Sequence, residues 1–192
     1  MPIPTSSQTI GPFFREGLNR PTWADLTREG ARGEPIRIVG SVLDGEGLAV
    51  PDALLEVWQA DAQGRFADPQ DTRSGVPDPH FRGFGRGCTD PEGAFAFRTV
   101  RPGPVPGADG GLQAPHINLT VFARGLLKRL VTRIYFNDLD EANAIDPLLR
   151  SIADAGVRAT LIAQRGADVD GEATYRFNVV LQGEGETAFL AV

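Results

Sequence analysis

Few side chains in this sequence could bind a metal ion or act as a nucleophile. The chain has two histidines, His80 and His116, two tyrosines, Tyr135 and Tyr175, and one cysteine, Cys88. An isolated imidazole in an apolar segment, such as His116, is typically hydrogen-bonded, whereas His80 lies in a stretch typical of a loop. The tyrosines alternate with apolar residues, which favours packing, and Cys88 before its turn favours a buried small side chain over a nucleophile. The residues alone predict no catalytic group.

The elements that must position these residues are short strands. Seven segments show strand-like alternation or apolar runs and are bounded by turn sequences: 36–42, 53–60, 94–100, 116–123, 127–136, 159–165 and 173–182. The last two are predicted to pair as a hairpin across the turn at 168–171. Glycine (23) and proline (15) are frequent, which suits many short strands joined by turns. We therefore predict an all-β (mainly β) fold, a Greek-key-like β-sandwich with long loops.

One short helical segment is predicted between Asp138 and Ile152. Asp138 with Glu141 has the pattern of a capping box, and Asp146 followed by Pro147 starts a second helical turn.

Residues 1–35 differ from the rest because they are polar, rich in proline and glycine, and without clear periodicity. They predict an extended N-terminal arm that must lie on another surface. Residues 36–192 are then expected to form a single β-sandwich domain.

Composition excludes several classes of function. The net charge of −6 disfavours nucleic acid or an anionic membrane as the main partner. A single cysteine cannot form an internal disulfide, and the sequence predicts neither a signal peptide nor a membrane-spanning segment. We therefore expect a cytoplasmic protein.

Several segments, in order along nearly the whole chain, resemble the intradiol ring-cleaving dioxygenases. They are LEVWQAD at 55–61, TDPEGAF at 89–95, TVRPG at 99–103 and PHI at 115–117, with outlying matches at 7–13, 175–177 and 182–187. The family patterns are E-V-W-Q, T-D-x-x-G-x-Y/F, T-x-x-P-G-x-Y-P and P-x-H-I-H. The resemblance implies a dioxygenase-like sandwich domain and a reaction in which O₂ cleaves a catechol between its two hydroxyl-bearing carbons.

The resemblance also implies a ferric ion held by two tyrosinates and two imidazoles, and here that ligand set is broken. His116 keeps the first histidine position, but Asn118 takes the second. Val105 stands at one tyrosine position, and the other falls near Arg73. An amide, an aliphatic chain and a guanidinium cannot replace an imidazole and two phenolates on Fe(III). We therefore expect no metal ligand and no catalytic residue in this chain.

Within the family, this pattern is similar to the alpha subunit of two-subunit enzymes. The resemblance implies a homologous beta subunit that holds the Fe(III), a higher hetero-oligomer, and protocatechuate (3,4-dihydroxybenzoate) and O₂ as substrates. The product would be 3-carboxy-cis,cis-muconate of the beta-ketoadipate pathway. The arm at 1–35 would then pack on the partner subunit.

Four residues are expected to contribute to substrate binding at the interface with the partner. Thr9, Gly11 and Pro12 resemble the alpha-subunit stretch that lines the partner's pocket, and Arg133 resembles an arginine that faces the substrate carboxylate. The alternative for Arg133 is a salt bridge across the interface, and Arg129 is predicted to share its strand face.

Two other functions stay open at this stage. One is a catalytic dioxygenase with unorthodox ligands, which the missing tyrosines disfavour. The other is a free-standing β-sandwich binding module without catalysis.

Overall fold

A computed structural model describes residues 5–71, 73, 76–107 and 110–191. The strands are β1 Pro35–Leu43, β2 Leu54–Trp58, β3 Phe84–Cys88, β4 Ala94–Val100, β5 Val105–Pro106, β6 Leu112–Gln113, β7 Ile117–Phe122, β8 Leu130–Phe136, β9 Ile162–Arg165, β10 Ala173–Arg176 and β11 Val179–Val180. The α-helices are α1 Pro12–Leu18, α2 Asp140–Ile145, α3 Pro147–Ser151 and α4 Ala155–Ala159, with a 3₁₀ turn at Pro21–Trp23.

The strands form two layers. In one, β1 pairs antiparallel with β4 and parallel with β10, and β10 pairs antiparallel with β9. In the other, the order is β8-β7-β2-β3, all antiparallel. A short parallel pairing of β8 with β9 connects the two layers at one edge. The β-sandwich prediction is confirmed, as is the predicted pairing of β9 with β10.

The core lies between the layers. It contains one face of each long strand, with residues such as Ile38, Phe97, Leu119 and Ile134 nearly or completely inaccessible to water. The regular alternation of buried and partly buried residues along β1 and β7 produces this face. The opposite face of the second layer is only partly covered and carries the polar residues discussed below.

The helical prediction was partly wrong. Residues 140–151 form α2 and α3, and Asp146 accepts a hydrogen bond from the Leu149 amide at the start of α3, as expected. Asp138, however, caps no helix; its carboxylate instead accepts bonds from Arg101 and Tyr175 because the sheet brings them together. The start of the predicted strand at 159–165 is the end of α4, and the predicted loop at 69–86 ends inside β3.

The N-terminal arm is more structured than its sequence predicts. It contains α1, and Leu26 is 1% exposed within the sandwich core. The backbone around it pairs with this chain: the Leu26 amide donates to the Arg98 carbonyl at 2.9 Å. The N-terminal segment, defined here as residues 5–18, is mostly exposed; residues 1–4 lie outside the described part. That this segment packs on a partner stays a prediction.

Candidate functional site

The outer face of the β8-β7-β2-β3 layer, directed away from the core, gathers the polar residues singled out in the sequence. Cross-strand pairing places Arg133 beside Asn118, Asn118 beside Trp58, and Trp58 beside Phe84. Because strand side chains alternate between faces, these four lie in one row on the outer face. The row joins segments that are far apart in sequence.

A cleft of about 430 Å³ opens beside Trp58 of this row. Its walls are aromatic, aliphatic and charged: Trp58, Phe66, Asp68, Gln70, Asp71, Arg73, Val105 and Pro106. Trp58 and Phe66 stack almost parallel, with ring centroids 5.8 Å apart. Two of the four positions that match the family's iron ligands, Arg73 and Val105, line this cleft. The four, Arg73, Val105, His116 and Asn118, are called the ligand positions below.

At two ligand positions the side chain has no free electron pair with which to bind a metal. Arg73 forms an ion pair with Asp71, and its Nε donates to Asp71 Oδ1 at 2.7 Å. That hydrogen-bonded guanidinium holds the pKa of Asp71 well below its usual range. Val105 is 4% exposed and has only an aliphatic side chain.

His116 and Asn118 are also engaged within the chain. The Nδ1 of His116 lies 2.7 Å from the Ala114 carbonyl, which can only accept, so this nitrogen is the protonated one. Asn118 Nδ2 donates to the Trp58 carbonyl at 3.2 Å. One imidazole, one amide, one guanidinium and one isopropyl group do not fit Fe(III). Within the described ranges, no three His, Cys, Asp or Glu side chains cluster to hold a metal.

Arg133 lies inside a hydrogen-bond network of its own chain. Its Nε donates to Asn118 Oδ1 at 3.2 Å, and its Nη1 donates to Gln113 Oε1 at 2.7 Å and to Tyr135 Oη at 3.2 Å. The Tyr135 hydroxyl in turn donates to the buried Asp146 carboxylate at 3.1 Å. The sequence correctly places Arg133 on the face opposite Ile134, but the side chain is directed at internal acceptors. Burial raises the pKa of Tyr135, so its hydroxyl stays protonated and bridges the cation to the carboxylate.

The N-terminal segment lies against the turn between β7 and β8. Thr9 Oγ1 accepts a hydrogen bond from the Gly125 amide at 2.8 Å, and the Phe14 ring packs on Phe122 at 5.5 Å. Gly11 and Pro12, between these contacts, are exposed. The structure therefore brings Thr9, Gly11 and Pro12 together at this turn, whereas Arg133 lies in the middle of β8.

Arg124 is an exposed cation that the sequence motifs do not single out. It precedes Gly125 at the turn contacted by Thr9, and 56% of its side chain is exposed. Its ion pair with Asp52 is long, at 3.3 Å. The signal in the sequence was a basic residue before a glycine between two strong strands. Gly125 has φ +91°, a conformation that favours glycine and brings the turn close to the N-terminal segment.

The surroundings of Arg129, His80, Cys88 and Tyr175 favour structural roles. Arg129 is exposed and precedes β8 instead of lying within it, so it does not share the strand face of Arg133. His80 is exposed in a turn. Burial raises the pKa of the Cys88 thiol, which makes it a weaker nucleophile at neutral pH. Burial also raises the pKa of Tyr175 to about 12, and its hydroxyl donates to Asp138 at 2.8 Å.

His116 predicts a specific dependence of stability on pH. Burial, and then the nearby Arg133 cation, lower the pKa of His116 to about 4. The unfolded chain binds this proton more readily than the folded chain, so the free energy of unfolding falls as pH drops from about 6.5 towards 4. Between pH 7 and 4.5 this group should account for about 2 kcal/mol of the loss.

Urea denaturation at several pH values checks this expectation. The free energy of unfolding of His116→Gln should fall by about 2 kcal/mol less than that of the parent over that pH range. His80→Gln, at an exposed imidazole, should follow the parent curve. Parallel curves for the parent and His116→Gln would contradict the assignment.

No helix in the described part of the chain is both long and apolar enough to cross a membrane.

A family profile and several known proteins match this chain over most of its length. The Dioxygenase family profile matches residues 10–183. The chain is 44% identical to the protocatechuate 3,4-dioxygenase alpha chain of Pseudomonas putida, covering 96% of this chain and 94% of that one. Identity to the alpha chain of Burkholderia cepacia is 41%, covering 98% and 97% of the two chains. Identity to the beta chain of Burkholderia cepacia is 36%, covering 85% and 73%.

Solved structures support the fold. Hydroxyquinol 1,2-dioxygenase from Pseudomonas putida DLL-E4 superposes with a TM-score of 0.62 at 24% identity, covering 92% of this chain and 65% of that chain. The dioxygenase domain of a carbohydrate-binding fusion from Streptomyces sp. SirexAA-E superposes with a TM-score of 0.59, covering 94% and 99%. With the profile match and the sequence relatives, these findings establish that the chain belongs to the intradiol ring-cleaving dioxygenase family.

Proposed function

We propose that this chain is the iron-free alpha subunit of a protocatechuate 3,4-dioxygenase. It would assemble with a homologous beta subunit that holds Fe(III), and the complex would use O₂ to cleave protocatechuate to 3-carboxy-cis,cis-muconate in the beta-ketoadipate pathway. The observation that carries this proposal is the similarity over nearly the whole chain to alpha chains. It is greater for the Burkholderia cepacia alpha chain than for the beta chain of the same organism. The single cysteine supports the reducing cytoplasm as its location.

The chemistry of the ligand positions supports an iron held by the partner. Only His116 has a side chain that the family uses, and it is buried beside a guanidinium. When bound by the partner, the ferric ion would bind the catechol oxygens and activate the ring towards O₂. This chain would contribute positioning groups alone.

The N-terminal segment and Arg124 are the groups best placed for that role. Thr9 is fixed by its bond to Gly125, while the backbone of Gly11 and the ring of Pro12 stay exposed beside it. Arg124 offers an exposed guanidinium at the same turn, and guanidinium binds carboxylate in a planar, bidentate geometry. We propose that this surface forms part of the wall of the partner's pocket and that Arg124, in preference to Arg133, faces the substrate carboxylate.

Metal content and turnover test the proposal directly. The purified chain alone should be colourless and should contain no stoichiometric iron, because three of its four ligand positions lack a suitable donor. Co-expression with a homologue that carries P-x-H-I-H and both tyrosines should yield a red-brown complex that consumes O₂ with protocatechuate. About one iron per lone chain, with ring cleavage, would favour a catalyst with unorthodox ligands. A stable monomer that does not associate with any such homologue would favour a free-standing binding module.

The exposed side of α1 provides a test of the interface. Phe13 is 78% exposed, which is unusual for a large aromatic side chain and typical of a residue that a partner covers. Phe13→Ser should weaken association with the beta subunit by about 10- to 100-fold, since buried aromatic anchors contribute about 1–3 kcal/mol to an interface. Leu48→Ser is the matched control, because Leu48 is 58% exposed in the turn after β1.

Sedimentation measures the affinity, and limited proteolysis locates the protected segment. Cleavage within residues 5–18 should be rapid in the lone chain and slow in the complex, whereas the backbone around Leu26 should be protected in both. Equal protection of residues 5–18 in both states would contradict an arm on the partner.

A further inference from the structure

The Arg133 guanidinium connects two elements that carry ligand positions. On β7, its Nε donates to Asn118, which stands where the family has its second histidine. On the β5–β6 hairpin, its Nη1 donates to Gln113, and Gln113 is the cross-strand neighbour of Val105. A single side chain thus links a histidine position to the hairpin that carries a tyrosine position.

This cation has a buried negative charge close by. Asp146 is fully buried, and its carboxylate accepts bonds from the Ala114 amide at 2.9 Å, the Leu149 amide at 3.0 Å and the Tyr135 hydroxyl at 3.1 Å. Arg133 reaches it through that hydroxyl. A buried carboxylate needs a compensating charge, and Arg133 is the cation that the network supplies.

One imidazole is still oriented as a metal ligand would be. Because Nδ1 of His116 donates to the Ala114 carbonyl, the lone pair lies on Nε2. An imidazole whose other nitrogen is held by a carbonyl is the usual arrangement of a ligating histidine. His116 has this orientation although Asn118 stands at the position of the second imidazole.

We propose that the guanidinium of Arg133 has taken the place of the metal cation in this chain. Metal binding is then prevented in two ways. Ligands are missing, and a fixed positive charge occupies the space between their positions. A divalent cation a few ångströms from a guanidinium is repelled, and the repulsion is strong where water is scarce. Restoring a ligand while Arg133 remains should therefore create only a weak metal site.

Two variants of the full-length chain separate the missing ligand from the blocking charge. Asn118→His restores the H-x-H spacing, with His116 just before β7 and the new imidazole on the outer face of β7. Asn118→His/Arg133→Met restores the pair and removes the cation. Equilibrium dialysis against Zn²⁺ measures the zinc bound in excess of the parent, on the chain or on its complex if the lone chain is insoluble. The double variant should bind Zn²⁺ at least about tenfold more tightly than Asn118→His.

The control is Asn118→His/Arg129→Met, which removes an exposed arginine outside β8 and should bind Zn²⁺ like Asn118→His. Equal zinc affinity of Asn118→His and the double Arg133 variant would overturn the proposal.

A second measurement applies if the double variant does not fold. Arg133→Ala leaves a space shaped for a guanidinium, so millimolar methylguanidinium should raise its thermal midpoint while lowering or not changing that of the parent and of Arg129→Ala. No rise in Arg133→Ala would then overturn the proposal, because a cation site emptied of its own cation should accept a small one of the same shape.

Discussion

Replacing Arg133 by alanine is expected to reduce the free energy of unfolding of this chain by about 2–4 kcal/mol. The change removes three hydrogen bonds, to Asn118, Gln113 and Tyr135, and takes away the charge that offsets the buried Asp146 carboxylate. For a chain of this length the thermal midpoint should fall by about 5–15 °C. In the assembled enzyme, KM for protocatechuate should stay within about twofold of the parent value, since the guanidinium is directed at internal acceptors.

Differential scanning calorimetry and steady-state kinetics on the same preparations check both parts. Arg129→Ala is the matched control, because Arg129 is exposed just before β8 and should change stability by less than about 0.5 kcal/mol. A large rise in KM without loss of stability would return Arg133 to the substrate-facing role that its sequence context predicts. Failure to assemble despite a folded chain would favour a salt bridge across the interface.

Replacing Arg124 by alanine should raise KM for protocatechuate by about 10- to 100-fold, with kcat, iron content and colour changed little. A charge-assisted hydrogen bond from guanidinium to carboxylate contributes about 1.5–3 kcal/mol, and each 1.4 kcal/mol corresponds to tenfold in affinity. Arg124 is exposed at the turn where Thr9 binds Gly125, and its ion pair with Asp52 is long, at 3.3 Å. This expectation rests on the proposed assembly with an iron subunit.

Two comparisons show whether the effect of Arg124 comes from the carboxylate. Catechol lacks that group, so Arg124→Ala should leave kcat/KM for catechol nearly unchanged while kcat/KM for protocatechuate falls. Arg124→Lys keeps the charge without the bidentate geometry and should lie between parent and alanine variant. Equal losses with both substrates, or a lower thermal midpoint of the complex, would show that Arg124 supports the turn or the interface and does not contact the substrate.

Local sequence determined much of the fold because strands and turns are encoded over a few residues. The alternation in 36–42 and 116–123 predicted β1 and β7, and their buried faces form the core as expected. The Asp146-Pro147 pair predicted the start of α3 because capping involves only neighbouring residues. The same locality explains the errors: Asp138 has the pattern of a helix cap, yet the sheet presents it to Arg101 and Tyr175. Short helices such as α1 and α4 have too few residues to show a period.

Sequence by itself also determined the family resemblance and the loss of ligands at Arg73, Val105 and Asn118, since side-chain chemistry needs no coordinates. Only the tertiary structure decided which arginine is available to another molecule. Arg133 lies on the face that alternation predicts, but the residues across from it come from other strands and a distant hairpin. Thr9 meets Gly125 across 116 positions of sequence, and this contact makes Arg124 part of the same surface. Strand periodicity specifies the direction of a side chain, whereas its partners depend on pairings between segments far apart in the chain, which no local pattern encodes.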